Sequence, residues 1–434
     1  MSIDRNIAPP VRAVEDIRWQ PPREILLGGR NRLYLIPSAG LEAVRLDLVF
    51  PGGHWTEQKP LVCEATINTL REGTRTRDGK TIAELFDYYG SYILTYNTRD
   101  YAGISLYTLP RHAASVLEIL DDILHNPTFP QKEVQTWLKQ EQQSFIIEAE
   151  KVSYQSHVAF REEIFGSDHP YGQRREVAHY GQVTPGDLQQ WHESNIHCNN
   201  CFLVLTGEVS DDLLKDIEQR FGPAGEGRVA PELPDPPAPP LSPAPRRRVP
   251  KESALQASVT LGKRTINRDH PDFPALSFTL TLLGGYFGSR LMRNIREEKG
   301  YTYGISASMK PLHRDAYLSI HTEVGAEVCR PALEEIYKEI RSLREVPPAK
   351  EEMTLVRNYL MGSLLQSLDG ALARSDMVKR LVAAEISFDY LNRFAREVNA
   401  MTAGKVTEMA AKYLDPGEMT EVVAGRCNNG QQQE

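Results

Sequence analysis

The run Gly288-Ser-Arg-Leu-Met-Arg-Asn-Ile-Arg-Glu-Glu-Lys-Gly-Tyr-Thr-Tyr-Gly304 has a local logic that decides how the second half of this chain is read. Gly284, Gly285 and Gly288 punctuate the sequence after the apolar segment Leu276 to Leu283. Ser289 is a helix-capping residue and Lys299-Gly300 a helix stop, so a short helix is expected between them. Tyr301, Tyr303 and Ile305 then alternate as a strand does. This order sets Arg296 in the last helical turn and Tyr303 on the adjoining strand, able to point the same way. An arginine near a helix C-terminus is favoured by the helix dipole and tyrosine is a good strand former, so each residue also has a purely structural explanation.

Outward from this run the chain reads as two similar halves. The first half has a strand pattern at Val44-Arg-Leu-Asp-Leu-Val-Phe, a helical pattern from Val116, a Pro-containing turn to Pro130 and a long helical pattern from Lys132 to about 152. The second repeats the order with Leu255-Gln-Ala-Ser-Val-Thr-Leu, a helical pattern from Ala332, Val346-Pro-Pro and a long helix from about Lys350 to Leu368. Each half closes on a further strand, Cys201-Phe-Leu-Val-Leu-Thr-Gly and Glu421-Val-Val-Ala-Gly. Strands and helices without strict alternation predict an α+β fold of two homologous domains, each a mainly antiparallel or mixed sheet backed by helices. Between Pro231 and Pro250 lie nine of the 29 prolines, which exclude helix and inner strand. The expected organisation is a first domain over 20–228, a Pro-rich linker over 229–252 and a second domain over 253–428. Arg246 to Arg248 are expected as the solvated end of the linker.

The full pattern Gly-Gly-x-x-Gly-Ser-Arg-Leu-x-x-x-Ile-Arg-Glu-x-x-Gly-Tyr-x-Tyr, which begins at Gly284, resembles the second-domain signature of the pitrilysin or insulinase-type zinc peptidases. The resemblance extends from about Ile25 to Gly425 and is nearest to the short two-domain members that work as pairs of unequal subunits. It implies that Arg296 and Tyr303 are the family's Arg/Tyr pair, which binds substrate and stabilises the oxyanion formed during peptide hydrolysis. The family's first domain carries an inverted zinc motif, His-x-x-Glu-His, shortly before a Gly-Thr pair. Here that pair is Gly73-Thr74, and the motif positions fall on Glu64, Ile67 and Asn68. Two histidines and a third ligand hold zinc while the glutamate takes a proton from the metal-bound water. Ile67 can do neither task. The third-ligand region falls near Ser144 and Phe145, with Glu141 and Glu148 a turn to either side, and an Asn of the family's substrate strand is replaced by Leu94.

Other constellations are weaker. His54 and Glu57 have the first spacing of a metal motif but sit in a glycine-flanked loop, and His192, Glu193 and His197 have no partner at matching spacing. Cys198 and Cys201 have ligand spacing but lead straight into an apolar strand, which favours a structural origin. His169-Pro-Tyr-Gly172 matches a further family segment and is expected to be structural. No Gly-x-Ser-x-Gly nucleophile motif is present.

At 434 residues and 41% hydrophobic the chain can build two or three cores. A net charge of −8 argues against nucleic acid or anionic lipid as partner. Five scattered cysteines predict no disulfide framework, and no signal peptide or membrane span is apparent. The expected compartment is the cytoplasm, or the periplasm if a signal peptide has been removed. These readings converge on a catalytically incomplete subunit, with no cofactor bound by this chain, that binds unfolded peptide and pairs with a zinc-bearing homologue as a heterodimer. The rival is a non-enzymatic homodimer that binds peptides or acts as a scaffold. A third reading, an autonomous hydrolase with a metal relocated to His54 and Glu57, has the least support.

Overall fold

The computed structural model describes residues 14, 17, 19–29, 31–222, 229–235 and 246–427. Eleven strands are β1 (Arg23–Leu27), β2 (Asn31–Pro37), β3 (Val44–Pro51), β4 (Tyr92–Asn97), β5 (Tyr101–Thr108), β6 (Phe202–Gly207), β7 (Arg246–Val249), β8 (Gln256–Arg264), β9 (Thr302–Pro311), β10 (Ala316–Gly325) and β11 (Thr420–Gly425) among the described residues. The helices of the first half are α1 (Val62–Thr69), α2 (Gly79–Tyr88), α3 (Ala113–His125), α4 (Gln131–Ala149), α5 (Val152–Phe165), α6 (Pro185–Asn195) and α7 (Asp211–Phe221). Those of the second are α8 (Phe273–Leu280), α9 (Cys329–Glu345), α10 (Lys350–Gln366), α11 (Gly370–Ala383), α12 (Tyr390–Ala400) and α13 (Ala403–Tyr413).

The α+β expectation holds, and the sheets show the internal repeat. The first runs β1-β2-β6-β3-β5-β4 and the second β7-β11-β8-β10-β9. In each, the pair made by the entering and closing strands is parallel and every later pair antiparallel: β2 with β6, and β7 with β11, are the parallel pairs. Arg246–Val249, expected as the solvated end of a linker, is thus the second half's counterpart of β2. Two consecutive arginines of it are held by ion pairs, Arg247 to Glu162 and Glu163 on α5 at 2.9 and 3.0 Å, and Arg248 to Glu421 at 3.4 Å. Pro250 follows the strand directly, and an edge strand needs hydrogen bonds on one side only.

A second feature lay outside the sequence reading. The helix α5 of the first half packs on β8 and β11 of the second sheet, while α11 of the second half packs on β2, β3 and β6 of the first. The halves therefore exchange a helix. Phe160 and Phe165 bury against Val422 on one side of the exchange. On the other, Tyr34, Ile36, Val49 and Val204 join one apolar cluster with Val378 and Leu381. A charge cluster pins α11 down: Asp47, fully buried, accepts from Ser105 and, at 3.1 Å each, from Ser375 and Lys379, and pairs with Arg45 at 2.9 Å. A disulfide, Cys329 to Cys427, ties the start of α9 to the chain after β11 across 98 residues, correcting the expectation of none. Cys329 is fully buried, and apolar packing masked its pairing in the sequence.

Candidate functional site

The degenerate motif lies on α1, under β4 and β5. Glu64 is engaged by the guanidinium of Arg175, which also reaches the Tyr180 hydroxyl at 3.4 Å. Asn68 spends both ends of its amide: it donates to the Glu64 carbonyl at 2.9 Å and accepts from Thr95 of β4 at 2.7 Å. Ile67 is fully buried in the first-half core. One carboxylate neutralised by arginine, one amide locked into the fold and one alkyl group do not fit a zinc ion. The third-ligand region offers no rescue, since Glu148 pairs with Lys151 at 2.6 Å and Glu141 and Ser144 face a cleft shared with arginines. Among the described residues no three His, Cys, Asp or Glu side chains converge in metal-binding geometry.

The weaker candidates take structural places. His54 pairs with Glu57 at 3.2 Å, and the same carboxylate accepts from the Cys63 N–H at 3.1 Å, serving the orphan donors at the start of α1. His192 meets the Leu124 carbonyl at 2.8 Å, and His197 that of Ser194 at 3.2 Å. Burial pushes the Cys201 thiol far above its ordinary range, so it is an unreactive neutral group. Tyr171 of the His169-Pro-Tyr-Gly172 segment donates to Asp100 and accepts from the Arg314 N–H at 3.2 Å. Asp100 in turn accepts from Trp55 and from the His313 N–H, so this segment fastens the β9–β10 turn to the first half.

The second-domain run forms the helix and strand its sequence predicts, with two departures. Met292–Glu298 is π-helical, and the wider turn closes when Lys299 N–H bonds to Asn294 and Tyr301 N–H to Ile295, both at 3.0 Å. Gly300 then takes the left-handed conformation at φ +66°, which a glycine adopts without strain. Ser289 opens the segment but provides no side-chain cap, its hydroxyl being buried without a hydrogen bond among the described residues. The second departure is a bulge. The β9–β10 register slips between Thr322 and Val324, leaving Tyr303 and Gly304 opposite Glu323. Bulges re-aim side chains, and Tyr303 stands 93% exposed two residues from the buried Ile305.

Arg296 lies over two rings at once, 4.5 Å from the centre of Phe287 and 5.6 Å from that of Tyr303. Arg296 and Tyr303 therefore do come together, as expected. Phe287, 62% exposed, was missed by sequence reasoning, although an aromatic residue between Gly285 and Gly288 in the signature was the available signal. The two rings hold the guanidinium beside the exposed phenol. Gly284 is required behind this loop because a Cβ there would lie 2.7 Å from Ala307.

Residues 182–360, which include this whole arrangement, match the family described as "Peptidase M16 inactive domain". Over these residues the chain resembles that family. It is 24% identical over 362 residues to an uncharacterized zinc protease, YmxG, of Bacillus subtilis, a match covering 79% of this chain and 83% of that protein. Its fold is similar to the M16 inactive domain from Pseudomonas fluorescens, with a TM-score of 0.85 at 22% identity over 95% of this chain and all of that one. It is also similar to a chain of Complex III2 from Candida albicans, with a TM-score of 0.73 at 14% identity over 93% of this chain and 95% of that one. The resemblance to the inverted-motif zinc peptidases is thereby borne out.

Proposed function

We propose that this chain is the catalytically incomplete subunit of a pitrilysin-like zinc peptidase, which holds peptide and presents Arg296 and Tyr303 to the reaction centre of a zinc-bearing partner. The observation that carries this reading is an outward-facing Arg/Tyr pair in a chain whose own motif helix cannot hold the metal. During peptide hydrolysis the scissile carbonyl oxygen gains negative charge. A guanidinium and a phenol preset by Phe287 stabilise that charge with little reorganisation. The zinc-bound water would come from the partner. Edge strands β4 and β9 leave backbone groups open to an extended peptide, which suits unfolded substrates.

In the assembled pair, Arg296→Ala or Tyr303→Phe is expected to lower turnover by about 10²–10³-fold, the usual cost of one such donor, with peptide affinity changed far less. Steady-state kinetics on sized, zinc-replete pairs checks this. Normal turnover in an intact mutant pair would overturn it. The similarity to a chain of Complex III2 favours, as a second reading, a non-enzymatic homodimer or assembly scaffold. A symmetric dimer by analytical ultracentrifugation, with no stimulation of any zinc-motif homologue, would decide for that reading.

A further inference from the structure

A second site is built beside the degenerate motif. Arg99, Arg161 and Arg175 converge with Tyr154 on a cleft of ≈ 450 Å³ bounded by α4. They come from three separate elements: the β4–β5 turn, α5 and the segment after His169-Pro-Tyr-Gly172. Of the three arginines, Arg175 alone is ion-paired to a carboxylate among the described residues, that of Glu64. Arg99 is held in place by two backbone carbonyls, Pro170 at 2.8 Å and Gln173 at 3.1 Å, which orient the guanidinium without neutralising it. Arg161 makes no ion pair, and its Nε is buried without a hydrogen-bond partner among the described residues.

From this geometry we infer that the cleft is a binding site for a peptide carboxylate, either the chain terminus or an acidic side chain. The planar guanidinium edges match a carboxylate in bidentate fashion, and Tyr154 can add a hydroxyl donor. Like charges held close together in a buried cleft oppose one another. Burial, Arg161 and Arg175 together push Arg99 down to about 10. A bound anion relieves that repulsion. Two carboxylates also line the cleft, but Glu148 is paired with Lys151 and Glu141 acts on Tyr180, at Arg175's side. The groups acting on Arg99 are arginines, Glu57 and Tyr154. Loss of the zinc ligands thus leaves a cationic pocket where a peptide passing along β4 can be anchored by charge.

The site is complete within this chain and does not depend on the pairing proposal, so it is tested on the chain alone. Fluorescence anisotropy would compare a dansyl-labelled Ala/Leu heptapeptide carrying a free C-terminal carboxylate with its amide. A second pair would compare amide-capped peptides with internal Glu or Gln. At least one acidic peptide is expected to bind about tenfold tighter than its neutral twin, and which pair shows the preference identifies the carboxylate's source. The preference is expected to fall below about twofold in Arg161→Gln, checked for folding by circular dichroism. Equal binding of acidic and neutral peptides to the wild-type chain would overturn the inference, whatever the variant does. Retention of the preference in folded Arg161→Gln would also overturn it. Competition by inorganic phosphate at a tenth of the effective acetate concentration would reassign the site to tetrahedral anions and sink the carboxylate assignment.

Discussion

Arg175 holds the one carboxylate left in the degenerate motif, and this bears on any attempt to restore it. Changing Glu64, Ile67 and Asn68 to His, Glu and His frees Arg175 from its partner and points a cation at the new ligands. It also places a glutamate at a fully buried position. Ile67→Glu alone is expected to cost about 3–5 kcal/mol of stability, as an uncompensated buried charge does. The triple variant is expected to take up no stoichiometric zinc. Chemical denaturation and elemental analysis check the two outcomes, and one firmly held zinc per chain in the triple variant would place Glu141 or Glu148 in ligand position after all. These positions were read by counting back from Gly73-Thr74, and the structure sets them on α1. Arg175 was not legible in the sequence, since it stands more than a hundred positions away and only the fold brings it to Glu64.

At the scale of elements, the exchanged helix α11 depends on a buried charge cluster. Asp47→Ala leaves Arg45 and Lys379 facing each other with only Asp376, at 2.7 and 3.5 Å, as counter-ion. A loss of about 3 kcal/mol is expected, read as a lower urea midpoint. The counterpart contact, α5 on the second sheet, has a titrating group. The ring of His321 on β10 lies 4.2 Å from that of His157 of α5, tilted to it, and burial, with His157 beside it, lowers its pKa to about 4. Its folded value lies below the ordinary value near 6.5, so between about pH 6.5 and 4 the unfolded chain binds the extra proton. The stability from neutral His321 is therefore present above pH 6.5 and lost as pH falls through that window. Melting temperature should drop across it in the wild-type chain and less steeply in His321→Gln. The elements themselves were legible where periodicity was strong, as in β3, β8 and the long helices. The strand β7 was not, because Arg-Arg-Arg-Val between prolines carries no alternation and is held by Glu162, Glu163 and Glu421 rather than by apolar packing. The bulge at Tyr303 was equally hidden, since it arises from a register set by β10.

For the molecule as a whole, the disulfide and the duplicated topology set the expectations. Closing a 98-residue loop restricts the unfolded chain by about 4–5 kcal/mol in the chain-entropy account. Thiol titration of the denatured, unreduced protein should find three reactive cysteines, Cys63, Cys198 and Cys201, and reduction should lower the melting temperature. Five free thiols would show that the bond does not form. The duplication was visible in sequence as a repeated order of strands and helices. The exchange of α5 and α11 was not, because a helix that covers its own sheet and one that covers its neighbour's have the same apolar periodicity.

That exchange makes the two halves mutually dependent in a way that covalent continuity does not. A chain cut within the proline-rich segment would still have α11 seated on the first sheet and α5 on the second, so its two pieces should stay together and melt as one. Produced separately, each piece would present an uncovered sheet face and a helix with nowhere to pack, and should aggregate unless the other is supplied during synthesis. Such a molecule behaves as an intertwined dimer of its own halves.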